Sequence, residues 1–165
     1  MSRAYRIPCL IAAMTALSAL PASAGDEVIA EMPYLDDRST ATDVIRSLYN
    51  AINRGEYLRA WSYFGEDGRP DFESFAAGYA DTDLVELTTG KETAEGAAGT
   101  TYWTVPVAIE TRHLDGTTEI FAGCYTLSQP NPAIQATPPF VPIGIREGSL
   151  AASDAPLDAA VPARC

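Results

Sequence analysis

From Ala41 onward the chain alternates between two rhythms of apolar and polar residues. Val44, Ile45, Leu48, Tyr49 and Ile52 recur every three or four residues, which sets them on one stripe of an α-helix. Thr40-Ala41-Thr42-Asp43 precedes the stripe with the form of a capping box, in which a hydroxyl and a carboxylate satisfy the first free amides. Asn53-Arg54-Gly55 ends it, because glycine readily takes the left-handed backbone that helix ends commonly need. A second helix is predicted over 56–64, burying Tyr57, Trp61 and Phe64. Gly65–Pro70 reads as a turn, and Asp71 opens a short third helix carrying Phe72, Phe75 and Tyr79.

After Asp81 the period shortens to two. Leu84 to Thr93 reads as one strand, and Gly96-Ala97-Ala98-Gly99 turns the chain. Trp103, Val105, Val107 and Ile109 then alternate with Tyr102, Thr104, Pro106 and Ala108. Pro106 has no amide proton, so its strand has an edge position or a bulge there. Asp115-Gly116 is a hairpin signal, and the returning strand over 117–128 sets Phe121, Gly123, Tyr125 and Leu127 on one side. Gln129–Pro139 is a proline-rich crossing, Phe140–Arg146 reads as a last strand, and 151–165 as an extended Ala/Pro-rich tail. Helices followed by antiparallel strands make an α+β domain: three N-terminal helices packed on a curved antiparallel sheet of about four strands. The length suits one domain, with no internal repeat, interdomain linker or DNA-binding motif.

The first 24 residues stand outside that pattern. Arg3 and Arg6 lead into the apolar run Cys9–Leu20, and Pro21 precedes Ala22-Ser23-Ala24, a small-residue cleavage site. This is the form of a secretory signal peptide, and the run is too short for a membrane span. Residues 1–24 are therefore read as a signal, 25–38 as an irregular leader and 39–150 as the domain. The expected product is exported, periplasmic or secreted, with no membrane attachment after cleavage near Ala24.

All 22 acidic residues follow Ala24, whereas Arg3 and Arg6 leave with the signal, so the mature charge is 9 − 22 = −13. Such a surface repels phosphate backbones and anionic headgroups, which argues against nucleic acid as a partner. It keeps an exported protein soluble; attraction of a cationic partner is the alternative. Cleavage also removes Cys9, leaving Cys124 and Cys165. In an oxidising compartment this pair suggests one disulfide, with a free thiol or an intermolecular bridge as alternatives. Two distant cysteines and one histidine lack the spacing of a metal site, and no cofactor motif is present.

The stretches LYNAINRGEYLRAWSYF, DFESFAAGYADTDLVEL and YWTVPVAIETRHLDGTTEIFAGCYTL together resemble the nuclear transport factor 2-like superfamily, or cystatin-like cone folds. The resemblance covers roughly 40–146, and Asn53-x-Gly55-Glu56 followed by Ala60-Trp61 is its most suggestive piece. It implies a curled sheet wrapped by three helices around a conical pocket. That superfamily holds ketosteroid isomerase-like and polyketide cyclase-like enzymes beside many binding and accessory modules, so fold does not decide function. In the isomerases a first-helix tyrosine lies four residues before the apolar residue of the helix-ending break. Counting back from Ile52, Leu48 holds that place and Tyr49 follows it, rotated by about 100°. Glu66 and Asp67 fall in a polar turn, and Glu110 and Glu119 at outward or rim positions, so the isomerase's acid-base set is not reproduced.

His113 is the only histidine, a candidate acid or base, with a solvated histidine beside the hairpin turn as the plainer reading. Tyr49, Trp61, Trp103 and Tyr125 are candidates to line an apolar pocket, or else to fill the helix–sheet core. No nucleophile elbow is present. These features favour an exported non-catalytic protein that binds a small apolar molecule or a protein partner. The alternative is a small-molecule enzyme of the cyclase, isomerase or dehydratase type. A homodimer through the sheet is a further candidate.

Overall fold

The computed structural model describes residues 32–165, so the signal-peptide reading and the start of the leader lie outside the described residues. What remains of the leader is irregular yet fastened to the first helix, α1 (Ala41–Asn53). The Leu35 amide donates to Asn50 Oδ1 at 3.0 Å, and the Asp37 amide to Ser47 Oγ at 2.8 Å. The helix begins as its sequence requires: Thr40 Oγ1 accepts from the Asp43 amide at 3.1 Å. The Asp43 carboxylate, rather than reaching back to the Thr40 amide, accepts the Thr40 hydroxyl at 2.6 Å. At the other end Gly55 has φ 66°, the Gly55 amide donates to the Ile52 carbonyl and the Glu56 amide to the Ala51 carbonyl. Those two bonds close the last turn of the helix and reverse the chain.

The second helix, α2 (Tyr57–Trp61), is shorter than its predicted span, and its buried residues differ from the expected ones. Ala60 and Tyr63 enter the core, whereas Tyr57, Trp61 and Phe64 are half-buried. These three face the third helix, α3 (Phe72–Ala77), capped by the Asp71 carboxylate as its sequence suggests. Trp61 meets Phe72 and Phe64 meets Phe75 edge-on, while Tyr57 stacks on Tyr79. An aromatic seam therefore joins the two short helices, each too short to be stable by itself.

Five antiparallel strands follow: β1 (Thr82–Thr89), β2 (Thr93–Ala97), β3 (Thr100–His113), β4 (Thr118–Pro130) and β5 (Gly144–Ala152). Their order is β1-β3-β4-β5, and β2 pairs with the other end of β3 from β1. The single strand expected over 84–93 is thus two. Thr89 opposes Val107 and Thr93 opposes Thr104, so Gly90, Lys91 and Glu92 face only Val105 and Pro106. One extra residue on the outer strand is a β-bulge. The Gly90 amide donates to the Pro106 carbonyl at 2.7 Å. In an antiparallel ladder the amide and carbonyl of a residue face the same neighbour, so the missing amide of Pro106 also faces the bulge. At the edge of β1, the Asn53 side chain takes the place of a further strand. Its Nδ2 donates to the Val85 carbonyl at 2.8 Å and its Oδ1 accepts the Val85 amide at 2.7 Å.

The last strand also departs from expectation. Phe140–Ile143 is loop, and β5 runs instead through residues assigned to the tail, because Gly148 fits opposite Tyr125 in the β4 ladder. The core lies between α1 and the sheet, where Val105, Val107, Tyr125, Leu127 and Ile145 meet the helix stripe. Pro106 and Ala108 point away from that core yet are buried too. The tail covers them: its short helix α4 (Leu157–Ala160) touches β3 and β4, and a Cβ at Gly90 would meet both Pro106 and Val161. The Cys124–Cys165 disulfide, with Cα atoms 5.9 Å apart and a sequence separation of 41, pins the tail there. A loop of this length is stabilised by about 4 kcal/mol in the chain-entropy picture.

Candidate functional site

Two of the four pocket candidates meet inside the core. Tyr49 is 2% and Tyr125 6% exposed, and their hydroxyls share a hydrogen bond of 2.8 Å. The rings meet edge-on, centroids 6.4 Å apart. Burial drives both phenols above the ordinary tyrosine range, and it does the same to neighbouring Tyr79. The one-residue offset from Leu48 does not turn Tyr49 outward, because both residues lie within the wide buried stripe of α1. Behind Tyr125, a Cβ at position 148 would stand 2.5 Å from its Cε1, so only glycine admits the ring there. The two rings, with the aliphatic side chains of Ile45, Leu48, Val105, Val107 and Leu127, fill the space between α1 and the sheet.

The other two candidates are elsewhere. Trp61 lies in the α2–α3 seam, its Nε1 donating to the Pro70 carbonyl at 2.8 Å. Trp103 sits half-buried at the margin of the core, opposite Leu127 in β4 and Ala94 in β2. The structure therefore joins Tyr49 to Tyr125, leaves Trp103 at the margin of the same core and puts Trp61 in the α2–α3 seam.

His113 is the last residue of β3 rather than a solvated loop histidine, and its side chain is 19% exposed. Nε2 lies 3.2 Å from Glu119 Oε2 and Nδ1 3.5 Å from Asp81 Oδ2, although buried Nδ1 makes no hydrogen bond. Both ring nitrogens thus face a carboxylate of the protein. Such an imidazole links the approach to β1 with the start of β4, and it lines an open depression with Asp81, Leu114, Asp115 and Glu119. Asp115 accepts the Thr117 amide and hydroxyl, and these bonds, with nearby His113 adding to them, hold its carboxyl below the usual range. Among the described residues no group of three His, Cys, Asp or Glu side chains could hold a metal ion.

A different region has the form of a binding site. The loop over 131–143 carries Pro132, Pro138, Pro139 and Pro142, and the Gln135 side chain fastens it. Gln135 Nε2 donates to the carbonyls of Pro130 at 2.9 Å and Val141 at 3.1 Å, and its Oε1 accepts the Val141 amide at 2.7 Å. Phe140 and Val141, 62% and 44% exposed, are therefore held out by an anchored loop. Beside them lie two adjoining depressions of about 400 and 410 Å³ that share Gly65, Glu66 and Pro142. Arg38 and Arg69 flank one; Tyr102 and Arg146 flank the other. The Arg38 guanidinium lies 4.3 Å over the Tyr63 ring, and that of Arg69 lies 4.6 Å over Trp61. Arg69 donates to the Phe64 carbonyl at 3.0 Å and, among the described residues, has no carboxylate within 4.0 Å. Arg146, in contrast, is paired with Asp67 at 3.0 Å. Sequence reasoning missed this cleft by reading Phe140 as the start of a strand. The signal available was Pro138-Pro139-Phe140-Val141-Pro142, apolar residues between prolines that cannot donate to a ladder.

Comparison with protein-family models, with curated proteins and with solved structures found no match to this chain.

Proposed function

We propose that this is an exported, non-catalytic binding or accessory protein on a nuclear transport factor 2-like scaffold, which binds its ligand at the cleft beside Phe140. The carrying observation is the contrast between an interior closed by the Tyr49–Tyr125 pair and an anchored loop that holds Phe140 open beside Arg69. Three helices ahead of the sheet support the scaffold. So does the pairing of β1 and β2 along one flank of β3, which leaves four strand positions around a filled cone. The disulfide suits an oxidising compartment and, beside residues 1–24 read as a signal, supports a mature chain in the periplasm or outside the cell. The tail over Pro106 and Ala108 speaks against a homodimer through that part of the sheet.

Native mass spectrometry of protein recovered from its own export compartment tests this reading. The expected species begins at Gly25, carries the intact disulfide and retains a bound molecule or partner. A chain that keeps residues 1–24, or one that is consistently bare under gentle ionisation, would overturn it.

A further inference from the structure

We infer that the cleft takes a small amphipathic carboxylate, its head on Arg69 and Arg38 and its apolar body on Phe140, Val141 and Phe64. This rests on the binding reading above and gives it a ligand class. Residues 32–165 hold nine cations and nineteen anions, a balance of 9 − 19 = −10. Most of the arginines are spoken for: Arg46, Arg54, Arg59, Arg112 and Arg146 each have a carboxylate within 3.1 Å. Among the described residues Arg38 has only Asp36 at 3.8 Å, and Arg69 has none. Lys91 and Arg164 also lack a close carboxylate, but they flank a small depression by the tail whose apolar walls are Pro106, Ala163 and Cys165. Among the described residues, only the cleft sets a guanidinium without a close carboxylate, that of Arg69, beside exposed aromatic and aliphatic surface.

The chemistry of the head group follows from the arginines. Each guanidinium is stacked on a ring and tied to a backbone carbonyl, Arg38 to Ser62 and Arg69 to Phe64, so its position is fixed before a ligand arrives. A fixed planar fork suits a carboxylate, and little side-chain freedom is left to lose on binding. The size and charge of the ligand follow from the rest of the molecule. Within a Debye length of about 8–10 Å, an acidic macromolecule or a polyanion meets the repulsion of the surrounding carboxylates. A monoanion small enough to sit inside the cleft makes its contacts with the two arginines directly. Glu66 lines both depressions with no cation within 4.0 Å among the described residues, so it opposes the ligand and its neutralisation should strengthen binding.

The test titrates the disulfide-bonded protein with octanoate and 3-phenylpropanoate, and with octanol and 3-phenylpropanol as neutral matches, by calorimetry and amide NMR. The acids should bind about tenfold more tightly than the alcohols, a difference expected of a charge-assisted contact. Arg69→Met and Phe140→Ala should each weaken the acids by about fivefold or more, with Arg69→Lys between Arg69→Met and the unaltered protein. Glu66→Gln should tighten them and Lys91→Met leave them unchanged. Thermal melting confirms that each variant is folded. Alcohols binding as well as acids, inorganic phosphate binding as well as octanoate, or acids indifferent to Arg69 and Phe140 would overturn the proposal. In the last case the protein still binds ligand, and the broader reading survives. If no acid binds and the native protein is also bare, both readings fail.

Discussion

The interior under α1 and the cleft beside Phe140 are built from the same kinds of side chain, yet they have opposite properties. Each combines aromatic rings with polar tips. In the interior the polar tips answer one another, Tyr49 to Tyr125, and glycine at 148 lets a ring close the last space. In the cleft the polar tips are arginines held against rings, and the apolar surface stays in water because proline and Gln135 prevent it from folding back. Aromatic content therefore does not distinguish a site from a core in this molecule. What distinguishes them is whether the polar atoms are satisfied from within.

The sharpest way to break that contrast is to empty the interior. Tyr125→Ala removes a buried ring that covers Gly148 and leaves the Tyr49 hydroxyl without its partner. It should cost about 3–5 kcal/mol, measured by urea unfolding of the oxidised protein. A loss under about 1 kcal/mol would mean that the space is not a packed core. If Tyr125→Ala instead stayed folded and bound an apolar probe inside, the interior would be a latent pocket.

Alkaline pH probes the same buried phenols without mutation. Their folded pKa values lie above the unfolded value of about 10, so their contribution is fully present below pH 10 and is lost as pH rises beyond it. Each pH unit above about 10 should remove up to about 1.4 kcal/mol for every phenol kept protonated by the fold. Absorbance at the phenolate band should therefore rise in step with unfolding. Phenolate appearing in the still-folded protein for more than the exposed tyrosines would show that the pair is open to solvent.

Tyr49→Phe is the milder cut. It deletes one hydroxyl and strands the other, at a cost of about 1–3 kcal/mol, whereas Tyr49→Phe with Tyr125→Phe should recover much of that loss. Equal and additive losses in the double-mutant cycle would mean that the two hydroxyls do not depend on each other.

Much of the fold was legible because its signals are local. The Thr40 cap, the Gly55 stop, the period of α1 and the alternation through β3 each follow from a few adjacent residues. Pro106 called for an edge position or a bulge, and a bulge stands in the strand facing it, while the Cys124–Cys165 bridge is one of the three states that the two cysteines left open. The misreadings were all long-range. Which residues around α2 enter the core is decided by its packing on α3, so Tyr63 rather than Trp61 is buried. The start of β5 is decided by which residues oppose Tyr125 in β4, so the strand begins after the prolines and continues into the expected tail. The site was illegible for a related reason: Arg38, Arg69 and Phe140 come from three separate loops. Nothing in their spacing brings them together, and His113, the weak acid–base candidate of the sequence, lies against Asp81 and Glu119 instead.

The smallest stability effect should come from Phe140→Ala, and that smallness is itself informative. A ring 62% exposed on a loop held by Gln135 contributes little packing, so the change should stay within about 0.5 kcal/mol of the unaltered protein. Thermal and urea unfolding would check it. An aromatic whose removal leaves stability unchanged but weakens carboxylate binding is kept exposed for contact with a ligand. If Phe140→Ala destabilised the fold as much as Tyr49→Phe, the ring would be part of the packing after all. The cleft would then be a shallow extension of the core, and the contrast between the two regions would disappear.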